Sequence, residues 1–165
     1  MKKVLVFLFV AVAFIGLSCQ STVSGVVIDG EATQEKIDKA LEQIYSAFSS
    51  KLDLSGADSY TVVSGDTLSG IARKSYGSLT DVGKAGPSNG FYFPIIMLAS
   101  SNAGISHPDR IEPGMKLVIP DLKKNLDNPG ARQAIKDCLN DVSYVYKKQG
   151  DSKTEEGLVD LAKSL

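Results

Sequence analysis

YTVVSGDTLSGIARKSYG, residues 60–77, spells strand, turn and helix in eighteen positions, and EPGMKLVIP, residues 112–120, answers it with a turn and a second strand. Tyr60, Val62 and Ser64 alternate with Thr61 and Val63, the period of a short strand rich in β-branched residues. Gly65 breaks it. Asp66 is placed to cap a helix whose buried stripe is Leu68, Ile71, Ala72 and Ser75, and Tyr76-Gly77 ends that helix, glycine being the common residue for a left-handed stop. Glu112-Pro113-Gly114 suits a turn with proline second and glycine third. Met115, Leu117 and Ile119 then alternate with Lys116 and Val118 until Pro120.

Between these ends, Ser78 to Gly90 is a loop of glycine and small polar residues, with a turn at Gly86-Pro87. Phe91-Tyr92-Phe93 leads into Pro94, which fits the first turn of a second helix continuing as IIMLAS. Aromatics before a helix serve as core and staple residues more often than as a sugar-stacking platform. Asn102 to Arg110 forms another loop. The order is strand, helix, helix, strand.

These residues resemble the LysM family of small carbohydrate-binding modules. The opening Tyr and Val, the Gly-Asp-Thr-Leu turn, the Ile-Ala pair, the Tyr-Gly stop and the closing Pro-Gly-x-x-Leu-x-Ile-Pro match its pattern in order, over Tyr60 to Pro120. The loop Ser78 to Gly90 departs from the compact pattern as an insertion. The resemblance implies an α+β fold, a βααβ domain over 58–120 with two helices on a two-stranded antiparallel sheet, binding peptidoglycan or another N-acetylglucosamine polymer without catalysis. It further implies a groove with Gly65, Asp66, Thr67 and Leu68 on one wall. Asn102, Ala103, Gly104, Ile105, Ser106, Pro108 and Ile111 are the candidates for the other.

The flanks read as helices. From Thr33, a plausible N-cap, Ile37, Leu41, Ile44, Tyr45, Phe48 and Leu52 recur at helical spacing in an amphipathic helix over 31–55. Over 127–165, Asn128 as N-cap and Pro129 at the first position open a run with Ala131, Ala134, Ile135, Cys138, Leu139, Val142, Val145 and Tyr146 on one face. These two stripes can bury each other. A last stretch from Thr154 to Leu165 offers Leu158, Val159, Leu161 and Ala162 to a further helix.

Residues 1–19, MKKVLVFLFVAVAFIGLSC, have the layout of a secretory signal peptide, with Lys2 and Lys3 ahead of an apolar run too short to span a bilayer comfortably. Gly16-Leu17-Ser18-Cys19 resembles a lipobox, so the expected address is the cell envelope, with Cys19 lipidated and holding the protein to a membrane; the alternative is a cleaved leader. Residues 20–30 read as a flexible tether. Cys138, the second of two cysteines, falls on an apolar helical face and reads as a small buried residue. His107, the sole histidine, has no partner at metal-ligand spacing and reads as a surface residue, so neither metal nor catalytic residue is expected.

Eighteen basic and nineteen acidic residues give a net charge of −1, which supplies no reason to expect a nucleic-acid partner. The flanks lack histidine and any paired glutamates in a cleft-like context, which opposes a hydrolase and leaves no call for a cofactor. Two alternatives remain: an envelope scaffold whose flanking helices bind a protein partner, and an accessory subunit of a peptidoglycan hydrolase.

Overall fold

A computed structural model of the chain describes residues 22–77, 89–99, 102, 104, 105 and 107–165. Among the described residues the elements follow in the order α1 (Gln34–Ser49), β1 (Asp58–Thr61), α2 (Leu68–Tyr76), a 3-10 turn (Asn89–Tyr92), α3 (Phe93–Leu98), another 3-10 turn (Pro108–Arg110), β2 (Lys116–Ile119), α4 (Leu122–Asp127), α5 (Pro129–Gln149) and α6 (Ser152–Ser164). The protein is α+β, a βααβ unit with helices on both flanks.

β1 and β2 pair antiparallel with Tyr60 opposite Leu117. Pairing runs on past the strands, since the Val62 N–H donates to the Met115 carbonyl at 2.9 Å and the Gly114 N–H to the Val62 carbonyl at 2.8 Å. The turn that delivers β2 closes through the Met115 N–H and the Glu112 carbonyl at 3.1 Å. Gly114 sits there at φ +92°, a conformation only glycine takes without strain. As the alternation of the sequence requires, Leu117 and Ile119 face the core and Lys116 faces solvent.

The boundary chemistry of α2 differs from its sequence reading. Thr67, not Asp66, is the N-cap, its hydroxyl accepting from the Gly70 N–H at 3.1 Å. Asp66 turns back instead onto β1. Gly77 has φ −65°, so α2 ends without a left-handed residue. Its last side chain is fixed by other means: Tyr76 donates its hydroxyl to the Pro120 carbonyl at 3.3 Å and packs edge-on against Tyr92. The loop over 78–88, including Gly86-Pro87, lies outside the described residues.

α3 is buried on every side, from Phe93 to Leu98, with Pro94 in its first turn. A helix apolar all round needs cover all round. The βααβ unit supplies α2 and β2, and the flanks supply α1 and α5, which pack on α3 and on each other. One contiguous core therefore runs from Val26 to Ala162 through both flanks and the central unit. The stripes of α1 and α5 are spent inside it: Leu41, Ile44, Ile135, Leu139 and Val142 are fully buried. Cys138 lies among them as a free thiol that burial pushes well up, a packing residue rather than a reactive one.

Three features escaped the sequence reading. α1 stops at Ser49, short of Leu52, and Thr33 holds the N-cap position without a side-chain bond. A short helix, α4, is capped by the Asp121 carboxylate on the Lys124 N–H at 3.0 Å. Its Asn125 is fully buried and stitches down the α1–β1 connection, accepting from the Asp53 N–H at 2.8 Å and donating to the Asp53 carbonyl at 2.9 Å. The third is the segment read as a tether: from Thr22 it is docked, with Val26 and Ile28 in the core. Asp141 on α5, 2 % exposed, receives the Val23 N–H at 2.8 Å on one oxygen and the Ser24 N–H at 2.7 Å on the other, while the Ile28 N–H donates to the Tyr144 hydroxyl at 3.1 Å.

Hydrogen bonds to a charged group are worth about 1.5–3 kcal/mol each. Asp141→Ala should therefore lower stability to urea by about 2 kcal/mol or more and strip hydrogen-exchange protection from the Val23 and Ser24 amides, with Asp141→Asn intermediate. Unchanged protection at those amides would show that the strap does not depend on the carboxylate.

Candidate glycan-binding site

The connection from β1 to α2 is rigid although it lies at the surface. Gly65 takes φ +88°, which lets the chain reverse after Val63. The Asp66 carboxylate then accepts from the Val63 N–H at 2.9 Å and from the Tyr60 hydroxyl at 2.9 Å. The Val63 N–H, and after it the Tyr60 hydroxyl, hold the Asp66 carboxyl below its ordinary value. Lys74 closes the arrangement with its ammonium 5.1 Å from the centre of the Tyr60 ring. Gly65 and Asp66 thus shape the turn, and the side chains projecting past it are those of Thr67, Leu68 and Ser69.

The facing connection, from α3 to β2, is anchored by Asn102. In an antiparallel pair alternate residues turn their backbone groups away from the partner strand, and Val118 is such a residue. The Asn102 side chain meets its outward edge as a third strand would, accepting the Val118 N–H at 3.1 Å and donating to the Val118 carbonyl at 3.1 Å and the Ile96 carbonyl at 2.8 Å. It is 3 % exposed. Asn102 was expected on the groove wall; the side chain is instead buried, with both amide hydrogens and one lone pair of its oxygen engaged inside the fold.

His107 also departs from expectation, being buried rather than on the surface. Its Nδ1 accepts from the Asp109 N–H at 3.2 Å and so caps the turn Pro108–Arg110. Arg110 pairs with Asp38 of α1, tying this loop to the N-terminal flank. Gly104 is exposed, and Ile105 and Ile111 are half-buried against the core. Ala103 and Ser106 lie outside the described residues, as does Cys19.

Between the two connections lies a cleft of about 520 Å³. Of the residues expected from the sequence, it brings together Thr67, Leu68 and Pro108. Gly65, Asp66, Gly104, Ile105 and Ile111 do not line it. Its floor is apolar and aromatic, formed by Phe91, Phe93 and Tyr146, the last two packed edge-on with ring centres 6.0 Å apart. Ser69, Arg73 and Asp109 stand at the rim. Asp151, Lys153 and Thr154, where α5 turns into α6, complete it. Burial, and behind it the charges of Asp109 and Asp151, push the Tyr146 hydroxyl well up, so it remains a neutral hydrogen-bond donor and acceptor.

No sequence signal pointed at Asp109, Tyr146 or the α5–α6 turn. Phe91 and Phe93 were weighed as a stacking platform and set below a core role; Phe93 is buried and Phe91 half-buried, and both line the cleft. Among the described residues no group of three or more His, Cys, Asp or Glu side chains could hold a metal ion. Among them also, no helix is long and apolar enough to cross a membrane.

The fold and the cleft are those of a small βααβ unit with aromatic residues lining a surface cleft beside its two connections. The LysM domain family model matches residues 60–83 and 96–120, so the chain carries a LysM domain over this central stretch, with the aromatic run Phe91–Phe93 falling between the matched segments. No curated protein and no solved structure matches the chain. LysM domains bind N-acetylglucosamine-containing glycans and are in general non-catalytic.

Two outcomes test this assignment of roles. Asn102→Ala removes the partner of the Val118 N–H and carbonyl, while the Ile96 carbonyl keeps the Ala99 N–H, and should cost about 2 kcal/mol of stability in denaturant while leaving glycan affinity per folded molecule unchanged; a selective loss of affinity would return Asn102 to the groove. For Asp66, the folded carboxyl titrates below the unfolded one. Its contribution is complete above the ordinary carboxylate value of about 4 and is lost as acid protonates the folded group. The Val63 amide resonance should therefore move in acid with a midpoint below that value, and Asp66→Asn should abolish the transition.

Proposed function

We propose that the protein binds the glycan strands of peptidoglycan without cleaving them, as an exported component of the cell envelope anchored to a membrane through lipid on Cys19. The observation that carries the binding half is the cleft itself, apolar at its floor and polar at its rim, between the two connections of a LysM domain. An N-acetylated sugar presents a methyl and a ring face for shallow apolar contact, and an amide and hydroxyls for exchange with polar side chains and loop backbone. Such a cleft on rigid loops answers both. The anchoring half is supported by the layout of residues 1–19, with its basic start, apolar run and closing Gly16-Leu17-Ser18-Cys19.

One groove gives modest affinity. Many copies held on a membrane opposite a polymer gain by effective concentration, so the arrangement suits a tether between membrane and wall.

The test is co-sedimentation of the exported, processed protein with insoluble peptidoglycan, competed by soluble N-acetylglucosamine oligomers. Ser69→Arg places a bulky side chain in the cleft at an exposed helical position without removing the Thr67 cap, whereas Thr67→Arg also loses about 1 kcal/mol of capping. Both should reduce the bound fraction to background with the fold intact. A folded wild-type protein that stays in the supernatant would refute the glycan reading.

A further inference from the structure

The C-terminal helices do more than cover α3. α5 ends at Gly150 in a left-handed conformation, φ +81°, with the Gly150 N–H on the Lys147 carbonyl at 3.1 Å and the Asp151 N–H on the Tyr146 carbonyl at 3.0 Å. Asp151 immediately caps α6, accepting from the Thr154 N–H at 3.1 Å and the Thr154 hydroxyl at 2.6 Å. Lys147 and Glu155 pair across the corner at 3.3 Å. Farther along α6, a Cβ at Gly157 would lie inside the ring of Phe91, so this position is occupied by glycine and the ring sits against the helix. Both arms of the corner are thereby fixed relative to the βααβ unit.

The consequence is that Tyr146, Lys153 and Thr154 enter the same cleft as Thr67, Ser69 and Pro108. The cleft's charges balance, two cations in Arg73 and Lys153 against two carboxylates in Asp109 and Asp151. A rim of one sign would favour an ion. A balanced rim above aromatic rings favours a neutral polyhydroxylated ligand, whose hydroxyls can donate to the carboxylates and accept from the cations. The volume, about 520 Å³, is that of a ligand site rather than a packing gap.

We infer that the α5–α6 corner is a second wall of the glycan cleft, holding a further neutral sugar ring of the same chain against Phe91 and Tyr146 beyond the ring held by the β1–α2 connection. This rests on the glycan reading above. It makes oligomer length the quantity the C-terminal helices select, a property absent from the two loops of the βααβ unit alone.

The experiment is calorimetric titration of the exported, processed protein with uncharged N-acetylglucosamine oligomers of increasing length. Three variants are compared: Lys153→Glu, Phe91→Ala and, as control, Ser69→Arg. Lys153 lies in the first turn of α6, where an acidic residue is favourable to the helix, which offsets the attraction to the Asp151 carboxylate that Lys153→Glu gives up. Wild-type affinity should rise with length. Lys153→Glu and Phe91→Ala should each remove about tenfold from the longest oligomers and weaken the shortest that binds by a smaller factor, so that the dependence on length flattens, while Ser69→Arg abolishes all lengths. Wild-type affinity independent of length, or a length dependence that survives both corner variants, would overturn the inference and leave glycan binding standing. Absence of any wild-type binding would remove both.

Discussion

The helix Phe93–Leu98 has no polar face, and the rest of the molecule is arranged to cover it. Its Phe, Ile, Met and Leu side chains are worth about 1.5–3 kcal/mol each when fully removed from water, and these five and Pro94 are all buried. Two strands and one helix cannot enclose a helix on every side. α1 and α5 take the remaining sides, and their own amphipathic stripes are satisfied by the same contacts. The flanks are therefore part of the domain's core rather than appendages to it, and the docked segment from Thr22 extends that core one layer further.

This packing determines the site. Once α5 lies against α3, its last turn emerges beside the connection from α3 to β2, and Phe93 meets Tyr146 edge-on. The left-handed Gly150 then reverses the chain, and α6 returns along Phe91, admitted by the missing side chain at Gly157. Residues more than seventy positions apart come to line one cleft because an apolar helix needed cover, and the cleft's aromatic floor is the outer margin of that same core.

How much of this could be read in advance follows from the range of the interactions. The break at Gly65, the stripe Leu68-Ile71-Ala72, the Glu112-Pro113-Gly114 turn and the Asn128-Pro129 helix start are each set by neighbours a few positions away, and the structure has them where the sequence placed them; the first strand, read over Tyr60–Ser64, instead runs Asp58–Thr61, because its register is set by pairing with β2. Asp66 was legible as important but not in its role, because a capping carboxylate and one that turns back to Val63 and Tyr60 have the same local spelling. Asn102, His107 and the strap of residues 22–28 depend on partners in β2, in the turn after α3 and at Asp141 on α5, and no periodicity announces them. One signal went unused: the run PIIML offers no polar position at helical spacing, which already requires more than a two-layer unit to bury it.

The polar residues that make a LysM sequence recognisable are here largely engaged with the protein itself. Asp66 serves the Val63 N–H, Thr67 the Gly70 N–H, and Asn102 the edge of β2. A motif defined by such residues reports the backbone geometry of two loops with high specificity, because each side chain answers a hydrogen bond the fold cannot leave unmade. It reports the ligand only through that geometry. The cleft lining is braced by the same fold, the Ser69 hydroxyl lying 3.4 Å from that of Thr67, the Asp109 carboxylate 3.6 Å from His107 Nδ1 and the Phe91 ring against Gly157. The residues that carry the motif and the residues that line the cleft thus overlap only in part, and the lining is drawn partly from helices that lie outside the motif altogether.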